Sequence, residues 1–179
     1  MLWILVAVLC VTVVALARQI GTLHLRLGPR GALELDDEGP PLGEPMEPAL
    51  VRDCRERDVT IGAAEEAQLL LFVSPACPVC EAVLPAVPAL AAGGGLRPYV
   101  VVDGDREDAD TLASRRRLAS PVVSAPELAR ALDVPGTPYA LVVDRGVVRA
   151  KGTVNNLEQL EGLADTARLR IARLGQEAA

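Results

Sequence analysis

A chain of 179 residues has room for one domain plus an appendage, and its net charge of −6 excludes nucleic acid as a partner, which needs a basic footprint. Half the residues are hydrophobic, yet one Trp, two Tyr and one Phe are the only aromatics, so a core must be built from Leu, Val and Ala. Four cysteines are too few to staple a scaffold of this length, and the one histidine, His24, precedes the expected domain, which excludes Cys/His and Ser/His catalysis there.

The chain opens with an uncharged run, Leu2 to Ala17. It is slightly shorter than the ~20 residues that cross a bilayer. Arg18 can snorkel and the apolar character resumes at Ile20, so residues 2–20 predict contact with a lipid bilayer, with Trp3 at an interface. Residues 1–22 are therefore read as a transmembrane anchor. Ala15-Leu16-Ala17 offers a signal-peptidase site, but no Lys or Arg precedes the run as a signal peptide requires. Cys10 reads as a small apolar residue within the span. Arg18, Arg26 and Arg30 follow the span, and by the positive-inside tendency they place the C-terminal domain in the cytoplasm.

Residues 23–45, rich in Gly, Pro and acid, read as a linker, and the domain is expected over 46–175. Ala49–Asp53 and Asp58–Ile61 predict a hairpin around a polar turn. Gln68–Val73 is too continuously apolar for one exposed face and predicts a strand buried on both. Cys77-Pro78-Val79-Cys80 follows at once, then a helix from Glu81 to Ala92, kinked at Pro85 and ended by Gly93-Gly94-Gly95. A second buried strand runs Pro98–Asp103. Helices are expected over Arg106–Leu118 and Pro126–Leu132. Tyr139–Val143 and Val147–Lys151 flank Asp144-Arg145-Gly146 as a hairpin, and Asn155 or Asn156 caps a last helix reaching about Leu174. The sum is an α/β sheet with helices on both faces.

The chemistry sits in the CxxC. A strand-to-helix junction puts Cys77 at a helix N-terminus, where unpaired N–H groups and the dipole favour its thiolate. Cys77 is the expected nucleophile and Cys80, one turn on, the resolving thiol; together they form the candidate redox-active disulfide. Pro78 suits the first helical turn. Thr137-Pro138, opening a strand, is a candidate cis peptide bond that would present the Thr137 backbone to an incoming chain. Half a zinc site and a disulfide without turnover are the other readings of one CxxC; no second Cys/His pair completes the former. No cofactor or metal is expected. Cys54 reads as an ordinary thiol near the hairpin rather than a resolving one. The acidic run Asp103 to Asp110 lacks the glycine of a calcium loop and reads as a solvated helix start, and Arg115-Arg116-Arg117 as a solvated helix face.

Cys77-Pro78-Val79-Cys80, Pro85 and Thr137-Pro138, in this order of elements, resemble the thioredoxin superfamily over roughly residues 46 to 174. Within it Ala17-Arg18-Gln19-Ile20-Gly21, Gly28-Pro29-Arg30-Gly31-Ala32, Val73 to Cys80, and Thr137-Pro138-Tyr139-Ala140 with Arg149-Ala150-Lys151-Gly152 resemble the methylamine dehydrogenase accessory protein family MauD. The resemblance implies a thioredoxin-like fold, a mixed central sheet with helices on both faces, behind an N-terminal transmembrane helix. It implies a membrane-tethered, extracytoplasmic thiol–disulfide oxidoreductase that assists disulfide formation or maturation of an exported protein, in the family the small subunit of methylamine dehydrogenase. Its partners would be exported protein thiols or disulfides and a membrane redox protein that recharges the dithiol. This contradicts the arginine distribution, and the domain is expected on the periplasmic side. A reductase of the cytochrome c maturation type and a non-catalytic client-binding factor are the alternative readings. Two positions depart from thioredoxins: Leu71 stands where a buried acid is usual, and Ala76 where tryptophan precedes the CxxC.

Overall fold

The strand that organises the domain is Gln68–Val73, and it is buried along its whole length. In a computed structural model of the chain, residues 38–63 and 65–177 are described, with Thr12 alone ahead of them. The chain divides into two units, Met1–Arg30 and Gly31–Ala179, and the description that follows is of the second. Apart from Thr12, the anchor expected at residues 1–22 lies outside the described residues, as do Cys10 and His24. Among those described, no helix is long and apolar enough to cross a membrane.

A two-stranded antiparallel ribbon, β1 (Ala49–Arg52) and β2 (Asp58–Ile61), precedes a five-stranded sheet. The sheet comprises β3 (Gln68–Val73), β4 (Arg97–Val102), β5 (Val122–Ser124), β6 (Tyr139–Asp144) and β7 (Val147–Thr153), in the order β5-β4-β3-β6-β7. β5, β4 and β3 are parallel, whereas β6 and β7 run antiparallel to β3 and to each other. The helices are α1 (Pro78–Val83), α2 (Ala86–Ala92), α3 (Arg106–Arg116), α4 (Pro126–Ala131) and α5 (Leu157–Glu177).

Because side chains alternate across a strand, β3 feeds two cores. Leu69, Leu71 and Val73 join residues of α1, α2, α3 and α5 on one face. Leu70 and Phe72 join Tyr99, Tyr139, Ile61 of β2 and Leu128 of α4 on the other. Each of these aliphatic side chains is removed from water almost completely, worth roughly 1.5–3 kcal/mol apiece before entropy is counted. Leu71 is fully buried, flanked by Val100 and Ala140, so an apolar contact occupies the place of the missing acid.

Three elements differ from the sequence expectation. The helix expected as one kinked rod from Glu81 to Ala92 is two helices. Pro85 has no N–H to continue the ladder and becomes the N-cap of α2, while Leu84 closes α1 through its N–H to the Cys80 carbonyl (3.2 Å). β5 was not expected: three residues after Pro121 carry too little periodicity to read, and β4 recruits them as a parallel edge strand. Residues 38–45 of the segment read as linker, with Met46 after them, lie along β7. There Gly43 donates to the Val148 carbonyl and Met46 to that of Gly146, and Lys151 Nζ, buried in β7, donates to the Glu38 carbonyl at 2.8 Å. The hairpin forms as expected, with Arg145 and Gly146 both at positive φ as a two-residue turn demands. Asn156 caps α5, accepting from the Gln159 N–H at 2.9 Å.

Candidate functional site

β3 stops at Val73 because Ser74-Pro75 turns the chain; the Cys77 N–H bonds back to the Ser74 carbonyl at 3.2 Å and α1 begins. Cys77 is the N-cap of α1, with extended φ −99° and ψ 105°. Pro78 takes the first helical position, where its missing N–H costs nothing. The Cys80 N–H points at Cys77 Sγ from 3.1 Å, so a backbone dipole faces that sulfur and would favour a thiolate there. Cys77 and Cys80 are joined as a disulfide, with Cα atoms 5.3 Å apart. The two sulfurs are unequal in access: Cys80 is 2 % exposed and packs into the core, whereas Cys77 is half-buried between exposed Ala76 and Pro78.

Thr137 and Pro138 arrive from the far half of the chain. Phe72 pairs with Tyr139 across β3 and β6, so the residue before Tyr139 lies level with the end of β3, where the CxxC starts. The Thr137–Pro138 peptide bond is cis. The Thr137 carbonyl oxygen lies 3.6 Å from Cys77 Sγ, and the Pro138 carbonyl accepts from Val154 N–H at 3.1 Å. Pro138 is buried and Thr137 half-exposed, which leaves the Thr137 backbone at the surface beside the accessible sulfur.

Behind the disulfide lies a cavity of about 60 Å³, which sequence reasoning missed. Its wall includes both cysteines, Glu81 of α1, and Asp108, Thr111 and Arg115 of α3. The acidic run before α3 thus has a structural use: Asp105 and Asp108 form a capping box, each side chain accepting the other's N–H at 2.9 and 3.2 Å. Arg116 pairs with Glu81 at 3.0 Å, tying α3 to α1. The only sequence signal for this wall was the acid-rich helix start, which by itself says nothing about a neighbouring thiol.

Cys54 is a free thiol in the turn after β1. Its N–H bonds to the Val122 carbonyl at 2.8 Å, at the head of β5. Burial, then the Asp110 carboxylate, push its pKa up to about 12, against a smaller opposing pull from Arg106. It does not join the disulfide. Larger depressions of the surface lie elsewhere, one of about 800 Å³ around Cys54 and Arg106 and one of about 550 Å³ beside Gly94 and Pro121. Neither touches the disulfide; exchange with a protein thiol requires an exposed sulfur and a neighbouring edge, not a deep pocket.

Known proteins agree with this layout. No protein-family model matches the chain. The methylamine utilization protein MauD of Paracoccus denitrificans is 34 % identical over 182 residues, covering 98 % of this chain and 90 % of the relative. That of Paracoccus versutus is 36 % identical over 180 residues, covering 98 % and 90 %, and that of Methylorubrum extorquens 32 % over 182 residues, covering 98 % and 88 %. Among solved structures, a candidate thiol:disulfide interchange protein DsbE from Chlorobium tepidum superimposes with TM-score 0.65 at 17 % identity, covering 74 % of this chain and 99 % of that one. The thioredoxin domain of a thiol-disulfide oxidoreductase from Bacteroides vulgatus gives TM-score 0.59 at 16 % identity, covering 70 % and 97 %. At these identities the likeness shows the fold: this domain is thioredoxin-like.

Proposed function

Because the chain belongs to the MauD family of methylamine utilization proteins, we propose that it is a thiol–disulfide oxidoreductase serving the maturation of an exported protein of that metabolism, in the first place the methylamine dehydrogenase small subunit. One observation carries the reading. Of the two bonded sulfurs only Cys77 is reachable, and it sits beside the backbone of half-exposed Thr137 while Cys80 is buried.

A client thiolate attacks Cys77 Sγ, the Cys77–Cys80 bond breaks, and Cys80 leaves as a thiolate that takes up a proton. A second client thiolate then attacks the mixed disulfide and Cys77 leaves. The client gains a disulfide, and the protein keeps both electrons as a dithiol until a membrane redox partner reoxidises it. Cys77 is the better leaving group because the Cys80 N–H faces it. Pro78 fixes the first turn of α1, and Thr137 with Pro138 lays the client backbone across the sulfur. The uncharged run Leu2–Ala17 tethers the domain to the membrane, on the outer side where disulfides persist.

Replacing Cys80 by Ser removes the resolving thiol and should leave an exported client covalently held on Cys77, released by reductant and missing after Cys77→Ala. Recovery of no covalent client, with growth on methylamine retained by Cys77→Ala, would overturn the catalytic reading in favour of a non-covalent assembly factor.

A further inference from the structure

Cys80 must lose or gain a proton in every cycle, and its thiol is buried where an unaided thiolate is costly. Leu71 supplies no acid or base from the strand side. The cavity behind the disulfide is lined both by Cys80 and by titratable groups. At about 60 Å³ it has room for water, which needs roughly 10–15 Å³ on this measure.

Three charged groups border the cavity. Glu81, on α1, is held by Arg116 of α3 at 3.0 Å. Arg115, on α3, is a cation and can neither take nor give the proton at neutral pH. Asp108, on α3, is half-buried, with Oδ2 receiving the Asp105 N–H and Oδ1 left for another donor. The loop is shaped to admit it: a methyl group on Gly104 would stand 2.7 Å from Asp108 Oδ2 and 3.0 Å from Pro75 Cγ, so the absence of a side chain at Gly104 lets Asp108 close against the turn before the CxxC.

We propose that Asp108, through water in this cavity, exchanges the proton of Cys80. This rests on the thiol–disulfide reading above. When Cys80 attacks a Cys77–client mixed disulfide, its S–H proton passes by water to the Asp108 carboxylate. The Cys77–Cys80 bond forms, the client thiolate leaves with the electron pair of the broken bond, and solvent protonates it. In the oxidising direction the same path returns a proton to Cys80 as it leaves. Asp108 is a proton-relay residue of the second sulfur.

The test follows both steps separately in the full-length chain in detergent. Reduced protein is mixed with glutathione disulfide, quenched with acid and weighed by mass spectrometry. Cys77 attacks first and gives the glutathione adduct; Cys80 then expels glutathione. Asp108→Asn keeps an oxygen for the Asp105 N–H. It should leave adduct formation unchanged, slow adduct resolution roughly 100-fold at pH 7, the lower end of what a positioned general base contributes, and lose that defect near pH 10, where the thiol ionises unaided. Asp108→Glu should restore resolution in part. Equal slowing at every pH, slowing of both steps alike, or no accumulation of adduct would overturn the relay. Wild-type protein that never exchanges with glutathione would overturn the oxidoreductase reading itself, an outcome distinct from a wild type that turns over and an unaffected Asp108→Asn.

Discussion

At the scale of single residues, reactivity is set by what faces each sulfur. Cys77 meets a backbone N–H at 3.1 Å, whereas Cys54 meets the carboxylate of Asp110 and is half-buried as well. A thiol with pKa near 12 holds almost no thiolate at pH 8. After allowance for the greater intrinsic nucleophilicity of a more basic sulfur, iodoacetamide should modify Cys54 roughly a hundredfold more slowly than an unperturbed thiol. Peptide mapping of the oxidised protein measures this directly; rapid labelling of Cys54 at pH 8 would contradict the account. The standing of Cys77 and Cys80 was open to sequence reasoning because spacing alone defines a pair. The environment of Cys54 was not, since Asp110 reaches it only when α3 packs over the turn after β1.

At the scale of elements, the β1–β2 turn is organised by Asp53, whose carboxylate is 1 % exposed. Burial alone would raise its pKa. The Arg57 guanidinium (Nε at 2.8 Å) and the N–H groups of Arg57 and Arg55 outweigh that and hold it below the usual carboxylate range. A folded-state pKa below the unfolded value means that the carboxylate adds stability above about pH 4, and that this stability is lost as pH falls through the lowered folded value. Asp53→Ala should therefore lower stability by about 1–3 kcal/mol at pH 7 in denaturant unfolding. The gap between variant and wild type should shrink toward pH 2; a gap constant over that range would show that the carboxylate charge contributes nothing. The hairpin itself was legible from Ala49 to Ile61; at Pro85 only a kink was legible, whereas the proline five residues after Cys80 splits the helix in two. β5 was illegible because a three-residue edge strand is made by its neighbour β4, not by its own pattern.

At the scale of the whole molecule, the fold could be read because each level agreed. A strand buried on both faces, a thiol pair at a helix start and a Thr-Pro before a hairpin each fit one architecture. What the sequence left out was depth. Nothing in Asp105 to Asp108 reveals that a cavity joins it to Cys80, because that closeness arises from α3 crossing α1. Topology across the membrane is the remaining large-scale expectation. Arg18, Arg26 and Arg30 favour a cytoplasmic domain by charge, while the proposed chemistry requires the oxidising side. A reporter enzyme active only outside the cytoplasm, fused after Ala179, should be active; an inactive but intact fusion would place the domain with its arginines.

The central claim is that Cys77–Cys80 is a couple that turns over and not a structural cross-link. Equilibration of the full-length chain with glutathione and dithiothreitol buffers of graded potential, followed by thiol trapping and mass measurement, tests it most directly. The account predicts a single two-electron transition confined to Cys77 and Cys80, with a midpoint between about −270 and −120 mV, the range spanned by exchanging dithiols. A bond that stays closed below about −300 mV, where structural disulfides lie, would contradict it.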